Sequence, residues 1–384
     1  MILNTVRWAV SARGLRYLFP TLPDYLYSRP LTAPIKLPFD AHHDVPPRLA
    51  PPSLTSVVDP EWDVPVYNLH GHSLPCHNSA PLSSVHSSHL RVAPTPVLVR
   101  RDALLPPDLL ARISPYTREE RRPSVAVFSP RDAAEWDILW VELPGCRILV
   151  PYAVPEVWVD VVDGVLCGEI GVDELERAEP QLYGILRSLW VLASPGEVVA
   201  ATEVWNATLQ EAAEHFAVHG WVLLERIFPP EVFAAIRAHC RAFGNTRSVA
   251  YAENGVSRFR WSEPVATYFN NQVTHIVSRI VREALVPTRP ITHWYFAGSG
   301  LDLHFDGMPY AYSMSINVDE TRDPEVPSFA FSVISRHLST PLIDFELPLG
   351  GAIIFQGSVL PHYRDIHYLQ SQTSMSFSFD RIAF

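Results

Sequence analysis

Residues 300–319, GLDLHFDGMPYAYSMSINVD, hold His304 and Asp306 one residue apart, between a glycine turn and an alternating run. Both residue types bind metal ions, and side chains two positions apart on an extended strand share a face. A second block, LPLGGAIIFQGSVLPHYRDI, supplies His362, 56 positions after Asp306 and beyond a turn, a buried strand and a further turn. Two imidazoles and one carboxylate on one side of an ion leave its other positions open to exchangeable ligands, a donor set suited to Fe(II). A lone histidine is more often an ordinary polar residue than a ligand. Here the three residue types, their turn contexts and their spacing together favour a metal.

The elements that must position these residues read as serial strands. THWYFAGSG is a strand ending in a Gly-Ser-Gly turn, and YSMSINVD, FAFSVIS, PLIDFEL, GAIIFQG and TSMSFSFD are further strands bounded by turn residues. In the last of them Met375, Phe377 and Phe379 alternate with Ser374, Ser376 and Ser378, so one face is apolar and the other polar. Such a series predicts a barrel or sandwich rather than βαβ units. Upstream, NATLQEAAEHFAVHG predicts a helix with Asn206 or Thr208 as its N-cap and Gly220 as its stop. WVLLERIF follows as a strand, then Pro230 opens the helix EVFAAIRAHCRAF, which Gly244 closes. SRFRWSEP, with Arg258, Arg260 and Trp261, reads as a connecting loop, either lining a substrate entrance or solvated around a packed tryptophan. His293 reads as structural and His367 as solvated.

The frames GSGLDLHFDG and LGGAIIFQGSVLPHYRD, preceded by helix, strand, proline and helix, resemble the Fe(II)/2-oxoglutarate-dependent oxygenase superfamily, and within it the prolyl-hydroxylase-like branch. The likeness covers roughly residues 205–384. It implies an α+β fold whose catalytic part is a double-stranded β-helix, or jelly roll, with N-terminal helices. It implies that His304, Asp306 and His362 bind Fe(II), that 2-oxoglutarate chelates the metal, and that O2 is activated to hydroxylate an unactivated C–H bond. Asp306 sets the chain apart from halogenating members, in which a small residue replaces the carboxylate. The family usually holds the distal carboxylate of 2-oxoglutarate with a cation about ten positions after the second histidine, where a charge pair gives geometry as well as energy. That position is Gln372 here. Arg364, two residues past His362 and on its face if the strand continues, is the favoured replacement, with Ser374 or Ser376 as a hydroxyl partner. Arg381, at the strand end, is the other candidate.

Composition bounds the rest. The 384 residues are 47% hydrophobic and 18% charged, a packed globular composition, and the net charge of −11 excludes a nucleic-acid footprint. No apolar run reaches the roughly eighteen residues of a membrane span. Four cysteines, at 76, 146, 167 and 240, form neither a CxxC pair nor a disulfide scaffold, which predicts a reducing, cytoplasmic setting. Arg7, Arg13 and Arg16 precede the first acidic residue, Asp24. That is transit-peptide composition and the basis of a mitochondrial alternative, set against a short helix docked by Val6, Val10 and Leu15.

Fifteen of the 36 prolines lie in the first 96 residues, so residues 1–96 are expected to form an extended, irregular arm. Within it HGHSLPCHN offers His70, His72, Cys76 and His77, in a spacing that matches no standard zinc finger. Residues 97–200 read as a small accessory α/β module: strands PSVAVFS, DILWVEL and CRILVPY, a helix from Pro155 to near Gly164, and two helices split by Pro180. Its element order loosely resembles a winged-helix module. Residues 201–384 are the expected double-stranded β-helix domain. Arm and module suit a peptide or bulky natural-product substrate better than a free amino acid. Two other readings stay open: a catalytically silent β-helix that binds a partner, and an iron oxygenase that does not use 2-oxoglutarate.

Overall fold

A strand that is apolar on one side and serine-lined on the other belongs between a greasy layer and a polar one. The computed structural model gives residues 371–381 that position. It describes residues 67–68, 89–93, 95–100, 103, 106–113, 137–228, 230–244, 250–251, 257–307, 309–321, 330–334, 342–364 and 371–382. The Arg-rich start, the HGHSLPCHN cluster, the PSVAVFS segment and His367 lie outside these residues.

In chain order the first elements are β1 (Tyr67–Asn68), β2 (Arg91–Val92), β3 (Val97–Val99), α1 (Pro107–Ile113), β4 (Asp137–Glu142) and β5 (Leu149–Val154). Helices α2 (Glu156–Cys167), α3 (Val172–Ala178) and α4 (Pro180–Ser188), strand β6 (Leu192–Ala193) and the long helix α5 (Pro195–His219) follow. Next come β7 (Trp221–Leu224), α6 (Pro230–Phe243), β8 (Ala250–Tyr251), β9 (Ser257–Trp261), α7 (Pro264–Val281), β10 (Leu285–Pro287) and β11 (Ile291–Phe296). The chain ends with β12 (Leu301–His304), β13 (Tyr312–Thr321), β14 (Ala330–Ile334), β15 (Leu342–Glu346), β16 (Ala352–Phe355), β17 (His362–Arg364) and β18 (Ser371–Arg381). Among the described residues no helix is long and apolar enough to cross a membrane.

The large sheet is antiparallel, in the order β7-β16-β13-β18-β11-β9-β8, with β10 also on β18. Its outer face buries Met314, Ile316, Val318, Met375, Phe377 and Phe379 in one core with Phe216 of α5, Ile236 of α6 and Phe269 and Val273 of α7. A smaller antiparallel sheet, β12-β17-β14-β15, packs on the other face. Trp221, Leu223, Ile353 and Phe355 of the large sheet share a second core there with Val333 and Phe345 of the small one. Away from that apolar end the inner face carries Ser313, Ser315, Asn317, Gln372 and Ser374, all buried. The alternation read from residues 374–379 is therefore the boundary between the helix-covered layer and a polar interior.

The upstream residues fold as a mixed sheet, β1-β5-β4-β3, with β1 parallel to β5. Helix α7 ties this part to the large sheet. Gln272 accepts from the Leu149 N–H at 3.0 Å and donates to the Arg112 carbonyl at 3.1 Å, while the buried Tyr268 hydroxyl donates to the Leu149 carbonyl at 2.6 Å. One apolar core runs through both parts, and residue 200 falls inside α5.

Three local expectations need correction. Helix α5 starts at an N-cap on Ser194, not at Asn206 or Thr208, because Ser194 and Glu197 form a reciprocal capping box with Pro195 in the first turn. Helix α2 runs past Gly164 to Cys167 and ends at Gly168, whose φ of 78° is the left-handed cap. Gly164 is there for close approach, since a Cβ would lie 2.8 Å from Ile170. SRFRW is strand β9 rather than a loop, and residues 264–281 form α7, capped by the Glu263 carboxylate on the Val265 and Ala266 N–H groups.

Candidate metal centre

The two histidines meet because β12 and β17 pair antiparallel with His304 opposite His362. Their ring centroids are 4.2 Å apart. Asp306 does not share a strand face with His304, as the spacing suggested: β12 ends at His304, and the chain turns. The Asp306 N–H then donates to the Gly357 carbonyl at 3.0 Å. The turn brings Asp306 Oδ1 to 3.8 Å from His304 Nε2 and 3.5 Å from His362 Nε2. One donor atom from each of the three lies within 4.8 Å of the others.

Each donor is aimed by a neighbour. Nδ1 of His304 is 2.7 Å from the Asp302 carbonyl, and Nδ1 of His362 is 3.0 Å from the Leu360 carbonyl. A carbonyl only accepts, so these contacts assign the proton to Nδ1 and turn the Nε2 lone pairs toward Asp306. Phe355 packs edge-on against His362 at 4.6 Å and fixes its ring plane. Asp306 Oδ2 accepts from the Ser313 hydroxyl, which leaves Oδ1 facing the imidazoles. Gly357 makes room for this, because a Cβ would fall 2.1 Å from Oδ2.

The electrostatics agree. Burial, then neighbouring His362, pushes His304 below the ordinary histidine value, so its Nε2 is unprotonated at neutral pH. At Asp306 burial pushes upward, but His362, Ser313 and His304 outweigh it and keep the carboxyl ionised. Two ring nitrogens and an anionic oxygen converge in a largely buried space, a donor set that a cation would bridge. Two nitrogen donors and one oxygen donor of this kind fit Fe(II).

Arg364 follows His362 on β17 and is 3% exposed. Its guanidinium donates to Gln372 Oε1 at 3.2 Å and to the Ser315 hydroxyl, and lies 5.3 Å from the Tyr295 ring centroid. Gln372 in turn donates to Asn317 Oδ1 at 3.1 Å. Burial pulls Arg364 below the usual arginine value, against the influence of Tyr295, but an arginine stays charged. The hydroxyl that Arg364 meets is Ser315's. Ser376 lies 3.5 Å from the Ser315 hydroxyl, and buried Ser374 stands in register between His293 and Asn317. Arg381 lies elsewhere, bonded to Glu283 and Tyr312.

Sequence reasoning missed Ser313, Ser315, Asn317, Tyr295 and Gly357. The alternation of ITHWYF was the available signal for Tyr295, since it puts His293 and Tyr295 on one face. His293 lies within β11, stacked on Tyr295 with centroids 5.4 Å apart. Burial, with the charges of Arg364 and His304, pushes its pKa down to about 3.

No family model matches the chain, and no curated protein matches it. Solved structures do resemble part of it. A Pseudomonas putida prolyl-4-hydroxylase is 16% identical with a TM-score of 0.39, over 46% of this chain and 100% of that one. A Burkholderia pseudomallei protein described as an oxidoreductase of the 2OG-Fe(II) oxygenase family is 17% identical with a TM-score of 0.37, over 45% and 90%. HygX from Streptomyces hygroscopicus, solved with nickel, 2-oxoglutarate and hygromycin B, is 12% identical with a TM-score of 0.37, over 46% and 88%.

Proposed function

We propose that the chain is a non-haem Fe(II)- and 2-oxoglutarate-dependent oxygenase that hydroxylates a C–H bond of a peptide or natural-product substrate. One observation carries the reading: Nε2 of His304, Nε2 of His362 and Oδ1 of Asp306 are turned toward one another by separate hydrogen bonds and lie within 4.8 Å. In this reading His304, Asp306 and His362 are the catalytic and metal-binding residues. Arg364, held by Gln372 and Ser315, pairs with the distal carboxylate of 2-oxoglutarate, and Ser374 and Ser376 line the cosubstrate's polar wall. Bound there, ferrous iron and 2-oxoglutarate supply the activation of O2 that oxidises the C–H bond.

The chain's own part is positional. The Asp302 and Leu360 carbonyls keep both imidazoles in the ligating tautomer, and Ser313 keeps Asp306 from swinging away. Burial of Arg364 strengthens its hold on an anion by excluding water. The same reading takes the two sheets as a double-stranded β-helix spanning 201–384, residues 97–200 as an accessory winged-helix-like module, and 1–96 as a Pro-rich arm.

The test is anaerobic titration with Fe(II) and 2-oxoglutarate, followed by oxygen-dependent succinate release. Wild type should bind one Fe(II), develop the visible charge-transfer band of an iron-bound 2-oxo acid, and release succinate. Arg364→Gln should keep the metal and weaken 2-oxoglutarate by about ten- to a hundredfold, the loss of a charge-assisted hydrogen bond. Failure to bind iron would return the chain to a silent binding protein. Iron binding and oxygen uptake without succinate would mean a different cosubstrate.

A further inference from the structure

A line of ring contacts leads from Arg364 along the inner face of the large sheet. Arg364 lies 5.3 Å from the Tyr295 ring, Tyr295 stacks on His293 at 5.4 Å, and His293 meets Phe259 at 6.0 Å. Phe259 meets Trp261 edge-on at 6.4 Å, and the guanidinium of Arg289 lies 4.7 Å over Trp261. Strand pleating explains the line. His293 and Tyr295 are alternate residues of β11, Phe259 and Trp261 are alternate residues of β9, and Phe259 is the register partner of His293. Exposure rises along it: Tyr295 is buried, His293, Phe259 and Trp261 are half-buried, and Arg289 is exposed. Half-buried rings in line with Arg364 leave apolar surface suited to covering by a ligand.

Two observations say what kind of ligand. Strand β9 is paired at Arg258 and Phe259 on both edges, by β11 and β8, so it offers no free edge there for an extended peptide to join as a strand. Recognition falls to the ring faces. At the outer end, Arg289 makes no ion pair among the described residues; its partner is the Trp261 indole. A guanidinium whose partner is an aromatic face keeps N–H groups for an anion.

We propose that this line is the substrate subsite, and that it takes a small flat aromatic or conjugated molecule bearing a carboxylate or similar anion. The rings stack along Phe259, His293 and Trp261, the anion meets Arg289, and the opposite end points to the metal centre. The inference rests on the oxygenase reading for the word substrate, while the binding itself needs no metal.

Calorimetric titration of the full chain with 2-naphthoate tests it, with the neutral naphthalene-2-methanol and an extended proline-rich peptide as comparison ligands. Wild type should bind 2-naphthoate saturably. Trp261→Ala and Phe259→Leu should each weaken it about five- to tenfold. Arg289→Gln should weaken 2-naphthoate about tenfold and leave naphthalene-2-methanol unchanged. Arg364→Gln should bind 2-naphthoate as wild type does, which separates this site from the cosubstrate's. His304→Ala should also bind it normally, so loss of iron with retained naphthoate affinity defeats the oxygenase reading alone. The inference is overturned if wild type does not bind 2-naphthoate, if both ring variants bind it unchanged, or if the peptide binds instead and the same variants weaken the peptide. Phe259→Leu keeps most of the buried volume, and circular dichroism of each variant separates lost binding from lost fold.

Discussion

Asp306 and Asp319 lie thirteen positions apart, and both carboxyls are held below the usual carboxylate range, yet by opposite means. At Asp319, near the end of β13, burial pushes upward and is outweighed by Arg241 and Arg237 of α6, whose guanidinium groups bond its two oxygens at 2.6–2.8 Å. Its charge is answered within the chain, and its role is to clamp a helix to the sheet. Asp306 is met by a hydroxyl, a neutral imidazole and a second imidazole whose Nδ1 is committed to a carbonyl. The first is a finished structural pair. The second brings three candidate metal-ligand atoms within 4.8 Å of one another.

The same contrast separates two buried arginines. Arg187 makes a two-pronged pair with Glu197 at 2.9 and 3.2 Å and donates to the Leu192 carbonyl, tying α4 to the capping box of α5. The described bonds of Arg364 run to a neutral amide, a hydroxyl and a ring face.

Four substitutions can break or sharpen this comparison, and the largest effect belongs to Asp306. Asp306→Ala should abolish measurable ferrous binding while leaving the melting temperature of the metal-free protein within a few degrees, because removing it relieves lone-pair crowding. Metal titration paired with thermal melting reads both quantities; a large loss of stability would make Asp306 a structural residue like Asp319. Gly357→Ala comes next. Its Cβ meets Oδ2 of Asp306 and the Ser313 hydroxyl, so it should reorient the carboxylate and weaken ferrous affinity about 10–100-fold, the usual range for groups that support a ligand. Wild-type affinity in that variant would show the Ser313–Asp306 contact to be dispensable.

Asp319→Asn should do the reverse: unchanged iron affinity and a stability loss of about 2 kcal/mol by denaturant unfolding, the scale of charge-assisted bonds discounted for the exposure of Arg241. Its pH dependence has a definite sign. A carboxyl depressed in the fold stabilises fully above the unfolded value near 3.9 and loses that stability as pH falls through the lower folded value. The gap between wild type and Asp319→Asn should therefore be constant from about pH 5 upward and close below pH 4. A gap that persists at lower pH would mean packing rather than charge.

Glu283 should matter least. Burial pushes its carboxyl upward, but Arg381 and Tyr312 outweigh that, and the pair with Arg381 lies open to water. Glu283→Gln should cost about 0–1 kcal/mol and less in high salt. A larger, salt-independent loss would place it with Asp319.

Much of this was legible along the chain, and particular residues show why. Short-range signals survived: Gly220 ends α5 with φ of 74°, Pro230 opens α6, and the serine–phenylalanine alternation of β18 sorts into its two environments. What failed was overridden by neighbours. The capping box at Ser194 was hidden because Gly196 and a run of valines dilute the helical pattern that follows it. Strand β9 looked like a loop because its residues gain strand character only from pairing with β8 and β11. Helix α7 is amphipathic, but its polar residues Gln272 and Tyr268 hydrogen-bond across to residues more than a hundred positions away.

The sequence by itself determined the donor types, the turns and the face alternation, because these follow from side-chain chemistry and backbone period within a few residues. Tertiary structure alone decided that the donors converge. The pairing of β12 with β17 and the turn that brings Asp306 under Gly357 are contacts between distant segments, whereas the carbonyls that choose each imidazole's tautomer lie only two residues upstream of it. It also decided the surroundings of Arg364: two residues past His362 on β17, its guanidinium is buried and donates to Gln372 and Ser315.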